Sequence, residues 1–153
     1  MSPDKKETKD KINYQIDQID KLLRKYSGLI EENQKKSPDD VEITALASVL
    51  HSFYHGLESI FSIIAEEIDG NIPRGENWHK ELLSQMAQDS SNRKAVISEE
   101  TQKKLGEYLT FRHFYRHSYS FFLDWERMDH LVYAIKETWQ RAKSEIKQFI
   151  ERL

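Results

Sequence analysis

The chain has no cysteine, and among its 153 residues there are only three prolines and five glycines. The first absence removes disulfides, thiolate metal sites and thiol nucleophiles. The scarcity of the other two leaves too few turn-formers for the many reversals of an all-β fold. No stretch approaches the ~18 consecutive apolar residues that cross a bilayer. The amino end, Met1-Ser2-Pro3-Asp4-Lys5-Lys6, leads into charge rather than into a targeting segment. A cytoplasmic protein with no membrane role is therefore expected. Neither sign of charge dominates, since 23 basic residues face 26 acidic ones, so anion recognition should be local rather than spread over the surface. With 32% charged and 38% hydrophobic residues, the composition suits one domain over residues 1–153, made of helices with one buried stripe each. A chain of this length hides roughly 68–70% of the surface its unfolded form exposes, enough to fold without a structural metal.

What is present is helical periodicity. From Lys9 to about Asn33 the apolar residues Ile12, Ile16, Ile19, Leu22, Leu23, Tyr26, Leu29 and Ile30 recur at three and four. Ser37-Pro38-Asp39-Asp40 stops that helix and starts a second, reaching about Asp69, whose apolar residues cover much of its circumference, as in a helix surrounded by others. Gly70 to Gly75 makes a turn, and Asn77 is expected to cap a short helix through about Ala87. The polar stretch Gln88 to Lys94 reads as a mobile loop. Ser98 and Asp124 are caps for two further long helices, the last with the cleanest stripe, Met128 to Leu153. The expectation is an all-α, antiparallel bundle of four long helices plus one short one.

One segment carries more than packing. Residues 111–119 read FRHFYRHSY, with Arg112, His113, Arg116 and His117 in six positions and no acid. The plain reading is a helix end with aromatic residues inward and a solvated basic face. The crowding of like charge, however, is favourable only beside an anion. His113 and His117 stand four apart, the spacing of a two-histidine metal site, but no further ligand accompanies them and two arginines oppose a dication, so no metal is expected. Arg112 and His117 stand five apart, about 140° around an ideal helix. A single helix cannot aim both at one atom; either it breaks between them or two copies of the segment meet.

Arg112, four residues, His117, one residue, Tyr119 resembles the RX4HXY motif of HEPN ribonucleases, in particular HepT-type toxins of toxin–antitoxin pairs. The order of the helix from Ala45 to Asp69, the Trp78-His79 helix and the FRHFYRHSY segment is similar to that group over roughly residues 40–135. The resemblance implies a HEPN-like helical bundle acting as a homodimer, with the motifs of both subunits in one cleft. It implies a metal-independent, cofactor-free RNA endonuclease, with transfer RNA the leading substrate and a 2′,3′-cyclic phosphate as product. His117 would be the general base for the 2′-hydroxyl. Arg112 would hold the phosphate and offset charge on its non-bridging oxygens. Tyr119 resembles the tyrosine that a partner antitoxin, a minimal nucleotidyltransferase, modifies with AMP; the added phosphate would occupy the site and block RNA.

His113 and Arg116 fall in the variable stretch of the motif and are assigned RNA-phosphate contacts. Glu58 and His55, with His51 and Tyr54 nearby on the second helix, are candidates to orient His117 from behind; their plain reading is as partly buried helix residues. Trp78-His79 reads as packing, and His130 as an ordinary member of the last helix. Two other functions fit the same residues: a non-catalytic HEPN-like module that binds RNA or nucleotide, or docks the antitoxin, and a structural helical protein whose basic cluster meets an acidic partner. The structural reading tolerates Arg112→Lys and the ribonuclease reading does not.

Overall fold

In the computed structural model the described residues are 4–117, 119 and 123–153. Met1 to Pro3, read above as part of a charged amino end, and Ser118 inside the motif lie outside them. The helices are α1 (Lys5–Lys25), α2 (Ser27–Glu32), α3 (Asp40–Ile64), α4 (Trp78–Met86), α5 (Glu99–Arg116) and α6 (Trp125–Glu151). With no strand among the described residues, the architecture is an all-α bundle. Among them no helix is long and apolar enough to cross a membrane.

α3 is the hub and touches every other helix. Its residues Leu46, Leu50, Phe53, Leu57, Ile60, Phe61 and Ile64 are all buried. Each such side chain contributes about 1.5–3 kcal/mol relative to exposure, so packing rather than local propensity holds this helix in place. Its start is fixed by a capping box: the Asp39 carboxylate accepts the Glu42 N–H at 2.8 Å while the Glu42 side chain accepts the Asp39 N–H at 3.0 Å. α1 lies against it through Ile12, Ile16 and Ile19, and α6 closes the core with Met128, Leu131, Val132, Ile135, Trp139, Ala142 and Ile146. Ser98 and Asp124 cap α5 and α6 as expected, accepting from Thr101 N–H and Glu126 N–H.

Four expectations need adjustment. The first periodic stretch is two helices, broken at Tyr26, because Ser27 and Gly28 weaken the helix there and the Ser27 hydroxyl donates back to the Arg24 carbonyl. α3 does not run unchanged to Asp69; Ala65–Asp69 form a π turn that ends at Gly70 with φ 69°, a left-handed conformation suited to glycine. Asn77 precedes α4, but its side chain makes no capping bond; its carbonyl accepts from Glu81 N–H at 3.0 Å. The Gln88 to Lys94 segment, read as a mobile loop, is tied down by a residue inside it. Arg93 donates to both Asp69 oxygens at 2.7 Å and to the carbonyls of Gln85, Gln88 and Lys94.

Candidate functional site

Three helices each place one polar residue on a core-facing position, and the three meet. On α5 the buried residues run Thr101, Leu105, Tyr108, Phe111 and Arg112. Arg112 is thus four residues beyond Tyr108 on the same inward stripe. On α3, Glu58 stands four residues beyond the buried Tyr54 and three before Phe61, and is itself 5% exposed. On α4, His79 precedes the buried Leu82, Leu83 and Met86 at intervals of three, four and seven.

The carboxylate of Glu58 joins the other two. Its Oε2 is 2.6 Å from His79 Nδ1 and its Oε1 is 3.8 Å from Arg112 Nη2. Arg112 Nη1 lies 3.4 Å from the same His79 Nδ1. An ionised carboxylate only accepts, so His79 Nδ1 carries the proton and donates to Glu58. The guanidinium, which also only donates, then stands beside His79 as a neighbour, with Glu58 as the shared counter-charge. Arg112 is only 8% exposed, and its buried Nε–H has no acceptor among the described residues. A buried orphan donor of this kind costs about 1–3 kcal/mol. The guanidinium is therefore held by charge while part of its hydrogen-bonding fork remains unused.

His51 flanks this cluster, its ring 5.0 Å from that of Tyr115 and its buried Nδ1 without a partner among the described residues. Burial first, and then the charges of Arg112, His55 and Arg116, lower its pKa below the ordinary imidazole value; only Glu58 opposes them. Trp78 covers the His79 ring, with centroids 3.6 Å apart.

The other residues expected from the sequence are placed differently. α5 ends at Arg116, and His117 is its C-cap, with its N–H donating to the Phe114 carbonyl at 3.1 Å. His113, Arg116, His117 and Tyr119 are exposed. The rings of His113 and His117 are 4.6 Å apart. The motif is therefore split, with Arg112 in the inward stripe and His117 at the exposed helix end. Glu58, assigned above behind His117, is engaged by Arg112 and His79 instead. His55 is exposed on the side of α3 that faces α1, in a groove with Gln15, Ile19 and Lys25. Among the described residues no three His, Asp or Glu side chains converge as a metal site would require.

His79 was missed, having been read as packing. A glutamate at an inward position of an apolar helix was the available clue, because a buried carboxylate must have partners. Those partners come from 21 and 54 residues away in the chain, where spacing carries no information.

Residues 45–153 match the sequence model of the family described as HepT-like protein. The chain belongs to the HepT-like family. No curated protein and no solved structure matches it. The match begins inside α3, leaves α1 and α2 outside, and covers Glu58, His79, Arg112, His117 and Tyr119. HepT-like proteins are generally HEPN ribonucleases and toxins of toxin–antitoxin systems.

Proposed function

We propose that this HepT-like protein is a metal-independent endoribonuclease toxin that cuts RNA, transfer RNA first among its substrates, in a cleft shared by two copies of the chain. The observation that carries the reading is Arg112: a guanidinium only 8% exposed, held beside Glu58 and His79. A phosphodiester at its exposed edge meets a fixed positive charge, the provision needed to offset charge that builds on the non-bridging oxygens. His117, exposed at the end of the same helix, serves as general base for the 2′-hydroxyl. Since Arg112 faces inward and His117 does not, a second copy related by a two-fold axis supplies the missing half of each site. His113 and Arg116, exposed beside His117, contact flanking phosphates.

The attack forms the O2′–P bond and breaks the P–O5′ bond, leaving a 2′,3′-cyclic phosphate and a 5′-hydroxyl. Tyr119, 71% exposed, is the residue that a minimal nucleotidyltransferase antitoxin would modify with AMP, placing a phosphate next to the arginines and closing the cleft to RNA. The test is incubation of the protein with transfer RNA in EDTA. Cleavage by wild type and its loss in Arg112→Ala and His117→Ala are expected; absence of cleavage, or cleavage that survives both substitutions, overturns the reading. Intact mass after co-expression with a minimal nucleotidyltransferase tests the modification: AMP adducts are expected on wild type and not on Tyr119→Phe.

A further inference from the structure

In-line displacement at phosphorus needs two proton transfers on opposite sides: one away from the attacking 2′-oxygen, one toward the departing 5′-oxygen. One helix end does not supply both. The second group is sought next to Arg112, because the arginine fixes where the phosphorus sits. His79 is there, on a different helix. Its Nδ1–H is committed to a buried carboxylate at 2.6 Å, the arrangement by which a carboxylate fixes an imidazole's tautomer and orientation so that Nε2 performs the proton transfer. Nε2 lies on the far side of the ring from Nδ1 and so points away from Glu58. Among the described residues it has no hydrogen-bond partner, and it is not one of the buried orphaned atoms; it therefore meets solvent. The side chain as a whole is 24% exposed, while that of Glu58 behind it is only 7% exposed. Trp78, its ring tilted 31° against that of His79 at 3.6 Å between centroids, limits its rotation.

We propose that His79 is a second catalytic residue: as an imidazolium whose Nδ1–H is held by Glu58, it protonates the departing 5′-oxygen from its Nε2–H, beside the Arg112 guanidinium. The inference rests on the ribonuclease reading and deepens it. The 2′-oxygen gives its proton to His117 and its electron pair to phosphorus. The pair of the P–O5′ bond goes to the 5′-oxygen, which takes the proton from His79. Solvent then returns both imidazoles to their starting states. Glu58 remains ionised throughout and acts as a positioning residue for both His79 and Arg112.

A general acid is distinguished from a merely structural residue by a leaving group that needs no proton. The experiment uses transfer RNA and the same RNA with a single bridging sulfur in place of the 5′-oxygen at the position where wild type cuts. His79→Gln should cut the all-oxygen RNA about 10²–10⁴ times more slowly than wild type, yet cut the sulfur-substituted RNA within about threefold of it. Arg112→Ala and His117→Ala should lose both substrates. Equal impairment of His79→Gln on both substrates, or on neither, overturns the proposal and leaves the ribonuclease reading standing. Failure of wild type to cut either RNA overturns both. Nitrogen-15 spectra of the histidine rings give a readout independent of activity: the neutral His79 ring should be protonated at Nδ1 in wild type and lose that fixed preference in Glu58→Gln. A neutral ring protonated at Nε2 in wild type overturns the proposal.

Discussion

Removing the Arg93 side chain is the strongest test of how the segment between α3 and α5 is held. Arg93 and Asp69 have side chains only 3% and 5% exposed. The pair is bidentate, with Nε and Nη2 each 2.7 Å from a different Asp69 oxygen. The remaining donors reach the carbonyls of Gln88, beyond the end of α4, and of Gln85, which also accepts from Gln88 N–H. Arg93→Ala therefore leaves the buried carboxylate with only the Gln85 amide among the described residues and removes the side-chain donor from three carbonyls. Breaking a buried pair from one side costs about 3–5 kcal/mol. For a domain of this size each kcal/mol moves the melting temperature by roughly 2–4 °C, which puts the expected drop at about 6–20 °C. Thermal melts followed by circular dichroism, with urea titration as a second measure, read it directly. The double variant Asp69→Leu with Arg93→Met, which removes both charges, should lose less than the two single variants together. A drop below about 3 °C for Arg93→Ala would mean that Asp69 is readily hydrated and that the segment is not anchored as described.

Two glycines in helices should respond oppositely to alanine. At Gly106 on α5 an added Cβ meets nothing within 4 Å, so Gly106→Ala should stabilise by about 0.5–1 kcal/mol. At Gly56 on α3 the Cβ would stand 2.7 Å from Ile19 Cγ1 on α1, and overpacking should outweigh the propensity gain for a net loss of about 1–2 kcal/mol in urea titrations. His51 makes stability depend on pH. Its folded pKa lies below the ordinary 6.5, so its contribution is complete above that pH and is lost as pH falls through the folded value, where the unfolded chain binds the proton more readily. Between pH 7 and pH 5 wild type should therefore lose more melting temperature than His51→Gln; equal losses would contradict the burial of His51 beside Arg112.

The helices were legible where a local cap and a clean stripe agree. Asp39 with Glu42 and the run from Leu46 to Ile64 mark α3, and Asp124 with Met128 to Ile150 marks α6. The break at Tyr26 was hidden because Leu29 and Ile30 continue the period across it. The π turn before Gly70 inserts a residue that no periodic pattern announces. Composition made Gln88 to Lys94 look loose, since the polar residue that anchors it, Arg93, finds its carboxylate 24 positions earlier. In the site, the FRHFYRHSY string supplied Arg112, as the phosphate holder, and His117, but not the inward direction of the arginine. Extending the stripe of Leu105 and Tyr108 by one turn shows that Arg112 faces the core, where a lone guanidinium demands a counter-charge. Glu58 answers that demand, and His79 follows from Glu58; neither link is local in sequence.

Under the proposed function, a working site takes its arginine and its imidazole from two copies of the chain. The most direct test of this pairing is a mixed dimer, isolated with a different tag on each subunit, that joins Arg112→Ala to His117→Ala. Each variant alone should fail to cut transfer RNA in EDTA while the mixed dimer regains measurable cleavage, because one intact arginine and one intact histidine still meet across the two-fold axis. A mixed dimer as inert as its parents, beside an active wild type, would contradict it.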